Sequence, residues 1–332
     1  MLKVVATDGL DKEAQDFLRS DSAIELTVNS ATAPAELEAA LSKADIAIIR
    51  SATNLNASVL GFLPQLKGVL RAGVGIDNID LQSATQLGIW VWNAPTGNFQ
   101  ATAELALGLI FALARQIPQA AAAGHAGKWA KKELSAMGRQ LSGNTLGIFG
   151  SGNIGLRLAR MGAALGMKVV VCDPFYKESE FPVLGFADFL KSSDFISIHT
   201  PLLPDTKHVF NLSSFAQMKT TSFIVNCARG GIIKEDDLVK ALEQKLIAGA
   251  ALDVFEHEPF DPTQATYAKL LADSRVVTTP HMGASTKESQ RLVGLETAEK
   301  IRALSLALGQ RDAKAPKALN SPAKPRLALQ FQ

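Results

Sequence analysis

The chain has little sulfur, little net charge and no long apolar run, and each shortage removes a class of protein. Two cysteines in 332 residues, Cys172 and Cys227, exclude a disulfide scaffold. Both lie in strand-like apolar runs, which reads as two buried free thiols in a reducing compartment. With 34 basic and 32 acidic residues the net charge is +2, which gives no whole-chain case for a nucleic-acid or membrane partner. The greasiest stretch, 105–114, sits between Glu104 and Arg115 and is too short to span a bilayer, so a buried helix is expected there. The opening LKVVATDGLD is a strand broken by Asp8 and Gly9, too short for a secretory signal. A cytoplasmic location is therefore expected, and no metal site is.

What is present is an alternation of strand and helix patterns, which points to parallel sheets with crossover helices. In the first hundred residues, strands are expected at 3–7, 24–28, 45–50, 68–71 and 89–93, with amphipathic helices at 11–19, 34–42 and 81–87. A long helix at about 99–114 and an alanine-rich segment containing Pro118 follow. After Gly143 the alternation restarts with TLGIF, KVVVC, FISIH, FIVNC, GAALDV and VVTTP, and with helices at 154–165, 187–191, 213–218, 235–243 and 286–308. Beyond Gly309 the tail is rich in Ala, Pro and Lys and should be extended, either free or laid on the body. At this length two domains are the natural expectation.

The second block opens with a dinucleotide signature. Gly150, Gly152 and Gly155 form Gly-x-Gly-x-x-Gly between the strand LGIF and a helix, and the next strand ends at Asp173. The spacing is about the 20 residues that such a unit requires. Gly150 allows the tight turn, Gly152 lets the backbone approach a pyrophosphate, and Gly155 lets helix and strand pack. A carboxylate at Asp173 favours the ribose diol of NAD and repels a 2′-phosphate, and Pro174 and Phe175 bring no arginine to reverse that choice.

Histidine is scarce: residues 125, 199, 208, 257 and 281. His125 reads as a surface residue, His199 as a structural one at a strand end, and His208 and His257 as loop residues. His281 follows VVTTP and precedes Gly283, in a tight turn after a sheet strand, where ligands of open α/β sheets bind. A histidine there can move a proton near neutral pH. Arg229 ends an apolar strand before Gly230-Gly231 and must face a carboxylate, from the protein or from a ligand. A carboxylate from the FEHEP loop can tune the histidine, but spacing alone does not separate Glu256 from Glu258.

At these residues the chain resembles the D-isomer-specific 2-hydroxyacid dehydrogenases, most closely their phosphoglycerate-oxidising branch. IIRSAT, RAGVGIDNID, NAPTGN, GKW, GNTLGIFGSGNIG, DFISIHTPLLPDT, VNCARGG, GAALDVFEHEP and TPHMGAST carry the likeness over nearly the whole chain. The resemblance implies two Rossmann-like doubly wound domains, the substrate domain discontinuous over 1–97 and 288–332 and the NAD domain over 98–287. It implies Arg229, Glu258 and His281 as the catalytic set. It places NAD on Gly150, Gly152, Asn153, Ile154, Gly155, Asp173, Thr200, Cys227 and Asp253. It gives the substrate carboxylate to Val74, Gly75 and Arg229, and the phosphate to Arg50 with Ser51 beside it. The implied reaction is NAD-dependent oxidation of 3-phosphoglycerate to 3-phosphohydroxypyruvate by a homodimer or higher homo-oligomer. A glyoxylate or hydroxypyruvate reductase and an NAD-sensing corepressor-like protein are the alternatives. Against the longer relatives, the chain is expected to lack a serine-binding C-terminal domain. KKELSAMGRQL departs from their pattern, which leaves a phosphate contact from Lys131 or Lys132 without support.

Overall fold

The computed structural model describes residues 1–29, 34–135, 138–175, 179–309, 314–327 and 329. Part of the irregular segment (136 and 137) and parts of the tail (310–313, 328 and 330–332) lie outside the described residues. The chain divides into two compact units, Met1–Asn98 with Ser285–Gln332, and Phe99–Ala284.

The first unit is a five-stranded parallel sheet. Its strands are β1 (Leu2–Ala6), β2 (Ile24–Val28), β3 (Ile46–Ile49), β4 (Gly68–Arg71) and β5 (Trp90–Asn93), in the order β2-β1-β3-β4-β5. Strands β3 and β4 are apolar on both faces because both faces are covered. Alternate side chains enter separate cores. Val4, Ile46, Ile48, Leu70 and Trp92 point one way, while Val5, Ala47, Ile49, Val69 and Val91 point the other. Helix Lys12–Arg19, capped by the Asp11 side chain on the Glu13 N–H, covers the first face together with Lys287–Gly309. Those two helices meet at Gly294, where a Cβ would lie 2.9 Å from that of Asp11.

The tail is laid along β5. The Leu319 N–H donates to the Val91 carbonyl (2.8 Å), and the Asn320 amide accepts from the Val91 N–H (2.9 Å) and donates to the Ile89 carbonyl (2.9 Å). The indoles of Trp90 and Trp92 donate to the carbonyls of Leu327 and Pro316.

The second unit is a six-stranded parallel sheet: β6 (Thr145–Phe149), β7 (Lys168–Cys172), β8 (Phe195–Ile198), β9 (Phe223–Asn226), β10 (Gly249–Leu252) and β11 (Val276–Thr278). Their order is β11-β10-β9-β8-β6-β7. The strand order reverses between β6 and β8, the position at which open α/β sheets form a ligand crevice. Helices Phe99–Arg115 and Asn153–Ala164 pack on one face of this sheet. Among the described residues no single helix is long and apolar enough to cross a membrane. Phe99–Arg115 and Ile117–His125 pass that test only as a pair, bent by 67°.

Two expectations change. The alanine-rich stretch is a helix, Ile117–His125, because Pro118 falls in its first turn, where the missing N–H costs nothing. Helices Ala57–Gly61, Lys131–Ser135 and Ala265–Ala272 are additional. The first is only five residues long and is set by the Asn56 side chain capping the Val59 N–H.

Candidate active site

The glycine turn follows β6, and two of its glycines are required by close packing. A Cβ on Gly150, whose φ is 102°, would lie 2.7 Å from the His199 carbonyl carbon. A Cβ on Gly155 would lie 2.0 Å from the Gly150 carbonyl oxygen. Gly152 faces open space instead, and it begins helix Asn153–Ala164 with no side-chain cap. The first N–H groups of that helix, including those of Asn153 and Ile154, thus present a surface suited to an anion.

Asp173 follows β7 and is buried. It accepts from the Ser151 N–H (2.5 Å) and hydroxyl (2.8 Å) with one oxygen, and from the Phe175 N–H (2.8 Å) with the other. It therefore ties the strand end to the glycine turn. Beyond β8, the Thr200 hydroxyl and His199 Nδ1 are buried with no hydrogen-bond partner among the described residues. Such groups are uncommon in a finished interior and mark a place for a polar ligand. His199 Nε2 lies 2.8 Å from the Ser197 hydroxyl, and burial pushes this imidazole down to about 3, so it is neutral at physiological pH. A glycine turn at a helix N-terminus, with unpartnered polar groups on the adjacent strand end, fits a dinucleotide.

The other strand ends carry the reactive groups. After β9, Asn226 accepts from the Ala228 N–H and donates to the Arg229 carbonyl (2.9 Å), forming a turn that presents Arg229. Arg229 is half-buried, and its guanidinium also donates to the Ala228 carbonyl (2.6 Å). Gly230 is pressed backbone to backbone against the chain after β10: a Cβ there would lie 1.9 Å from the Phe255 carbonyl carbon. The Cys227 thiol is buried, and burial with the nearby Asp253 charge raises it far above the ordinary thiol range. It is an inert thiol.

Asp253, just after β10, organises the turn that holds His281. One of its oxygens accepts from the Thr279 hydroxyl (2.6 Å) and the Met282 N–H (2.7 Å), and the other from the Gly283 N–H (2.9 Å). The His281 N–H donates to the Asp253 carbonyl (2.8 Å). These bonds hold His281 at φ 51°, in the left-handed region that non-glycine residues seldom occupy. Sequence reasoning missed this role of Asp253 and the help from Thr279. The signal available was that both follow adjacent strands, β10 and β11.

The structure separates the two glutamates. Glu258 Oε2 lies 2.5 Å from His281 Nδ1, and its Oε1 accepts from the Phe255 N–H (2.9 Å). Burial pushes the Glu258 carboxyl up, yet the bonds from His281 and Phe255 and the charges of His281 and Arg229 bring it below the usual range. Glu256 turns instead toward Glu235 and His208. With Nδ1 committed to Glu258, Nε2 is the nitrogen of His281 that can exchange a proton.

In the first unit, Arg50 and Ser51 follow β3, and Val74 and Gly75 lie beyond the adjacent β4. The Arg50 N–H donates to Asp8 (2.6 Å), its carbonyl accepts from Asn78, and its guanidinium donates to the Gln290 side chain. Ser51 is exposed, and the Val74 carbonyl accepts from Asn93 (2.7 Å). Lys131 and Lys132 are exposed on a short helix of the second unit.

Comparison with known proteins identifies the family. The family described as "D-isomer specific 2-hydroxyacid dehydrogenase, NAD binding domain" matches residues 107–283. A hydroxypyruvate reductase of Thermotoga maritima is 43% identical over 301 residues, covering 90% of this chain and 97% of its own. A D-3-phosphoglycerate dehydrogenase of Synechocystis is 40% identical over 318 residues, covering 94% of this chain but only 56% of that longer protein. The crystal structure of the TT0316 protein from Thermus thermophilus superposes with a TM-score of 0.85 at 31% identity, covering 96% of this chain and 100% of that one. With a glycine turn that fits a dinucleotide and a histidine–glutamate pair beside an arginine, the chain belongs to the NAD-dependent D-isomer-specific 2-hydroxyacid dehydrogenases.

Proposed function

We propose that this dehydrogenase oxidises 3-phosphoglycerate to 3-phosphohydroxypyruvate. The observation that carries the chemistry is the 2.5 Å His281–Glu258 pair, next to Arg229 and on turns fixed by Asp253 and Gly230. In this reading the Arg229 guanidinium binds the C1 carboxylate, helped by the Val74 and Gly75 N–H groups. His281 Nε2 takes the C2 hydroxyl proton, and Glu258 favours the resulting imidazolium. Bound NAD supplies the acceptor for the C2 hydride. Gly150, Gly152, Asn153, Ile154 and Gly155 would seat its pyrophosphate, Asp173 its adenosine ribose, and Thr200, the Cys227 backbone and Asp253 the remainder. In the opposite direction His281 returns the proton to the carbonyl oxygen.

Phosphate recognition is assigned to Arg50, since a dianion needs fixed positive charge, with Ser51 beside it. One charge-assisted contact contributes about 1.5–3 kcal/mol, so Arg50→Ala should lower kcat/KM for 3-phosphoglycerate roughly 10- to 150-fold. Hydroxypyruvate and glycerate should be little affected. Equal losses on phosphorylated and unphosphorylated substrates would remove this assignment. A second reading, hydroxypyruvate reduction, is favoured by the Thermotoga relative, which the chain matches over nearly its full length. Steady-state rates with both substrates choose between them. A protein that binds NADH but forms none from any 2-hydroxy acid would be a sensor.

Cofactor preference is assigned to Asp173. Asp173→Asn keeps a hydrogen-bonding group for Ser151 while removing the charge, and should weaken NAD use roughly tenfold and narrow the gap to NADP. Comparable NAD and NADP turnover by the unaltered protein would overturn the assignment.

A further inference from the structure

Beneath the segment that carries Glu258 lies a second carboxyl pair that the reaction does not use. Glu235 opens helix Glu235–Glu243 and is buried. The Glu235 N–H donates to Glu256 (2.9 Å), and the Glu256 N–H donates to Glu235 (2.9 Å), so each carboxyl holds the other's backbone. Tyr267, fully buried on helix Ala265–Ala272, donates its hydroxyl to Glu235 and accepts from the His257 N–H (3.2 Å). Three consecutive amides are therefore anchored: that of Phe255 on Glu258, that of Glu256 on Glu235, and that of His257 on Tyr267. Residue 258 comes next. The same backbone is braced on its other side by Gly230, which follows Arg229.

We propose that Glu235 is a positioning residue for the His281–Glu258 pair, acting through Glu256 and Tyr267 to fix the backbone from which Glu258 reaches the imidazole. The proposal rests on the catalytic assignment of that pair. Glu256 and Asp236 place like charge beside the buried Glu235, which disfavours its ionised form. Burial, with the charges of Glu256 and Asp236, outweighs the Glu256 N–H and Tyr267 hydrogen bonds and pushes Glu235 up to about 7. On its other side Glu256 faces His208, whose Nε2 lies 3.4 Å away. Below neutral pH, Glu235 is thus an uncharged acid that glutamine can mimic and alanine cannot.

The test compares Glu235→Ala, Glu235→Gln and Tyr267→Phe with the unaltered protein. The main readout is the NMR pH titration of the His281 imidazole, which needs no turnover. Glu235→Ala should shift the His281 midpoint toward that seen in Glu258→Gln, and Glu235→Gln should leave it in place. With substrate, Glu235→Ala should lower kcat by up to about a hundredfold, as a displaced catalytic group does, while NADH affinity stays unchanged. If Glu235→Ala does not fold, Tyr267→Phe reports the same displacement through the freed His257 amide. A folded Glu235→Ala whose His281 titrates as in the unaltered protein overturns the proposal, as does a Glu235→Gln as damaged as the alanine variant. Should the unaltered protein turn over no 2-hydroxy acid, the catalytic reading falls, and the titration still decides whether Glu235 positions the pair.

Discussion

His281→Ala lowers turnover about 100- to 10,000-fold and leaves NADH binding intact, as expected for removal of a positioned acid–base group. Glu258 holds Nδ1, so the proton must pass through Nε2, and alanine removes both nitrogens. The turn itself survives the change, because the backbone N–H groups of residues 281–283 donate to Asp253, the first to its carbonyl and the others to its carboxylate, and the imidazole takes no part. His199 is a poor substitute, since burial lowers its proton affinity and disfavours the imidazolium that proton uptake would form. Steady-state kcat and a fluorescence titration with NADH separate chemistry from cofactor binding. Near-normal turnover in a variant that binds NADH would place the proton transfer on another group.

Arg229→Gln should cost about a hundredfold or more in kcat/KM. A charge-assisted contact contributes about 1.5–3 kcal/mol, and a bidentate arginine makes two with a carboxylate. The loss should fall on every 2-hydroxy acid alike, because all share the C1 carboxylate, in contrast to the loss expected at Arg50. Arg229 also helps to keep Glu258 ionised, so the variant should need a higher pH to reach its maximal rate. Unchanged substrate affinity, with only that pH displacement, would make Arg229 a partner of Glu258 and not a substrate ligand.

The sheets were readable in the sequence because their strands are short apolar runs between polar breaks. β2, β4, β6 and β7 fall on the expected residues, and the others differ by a few residues at their ends. The glycine turn was readable because sterics allow little else at Gly150 and Gly155. Helix Ile117–His125 was harder to see, since no residue of it is buried and an apolar stripe is the usual signal. Helix Ala265–Ala272 hides in a short stretch held chiefly by Tyr267 and Leu270. Within the site, the sequence names Glu256 and Glu258 equally, because two residues apart in a loop fixes no direction. Their difference comes from partners on other elements: His281 after β11 for one, and Glu235 after β9 for the other. Asp253 likewise takes its role from bonds to residues some thirty positions away.

The two compact units differ in when they can be completed during synthesis. The second is one continuous stretch, Phe99–Ala284, and all six of its strands lie inside it. The first needs Val293, Ala298, Ile301 and Leu304 to cover Val4, Ile46, Ile48 and Trp92, although its own five strands are finished by Asn93. A nascent chain can thus close the later-made unit before the earlier one. Meanwhile the groups of Ile89 and Val91 that Leu319 and Asn320 eventually satisfy remain an open strand edge beside two tryptophans. That interval, more than the finished fold, is where this chain is most exposed to pairing with a copy of itself.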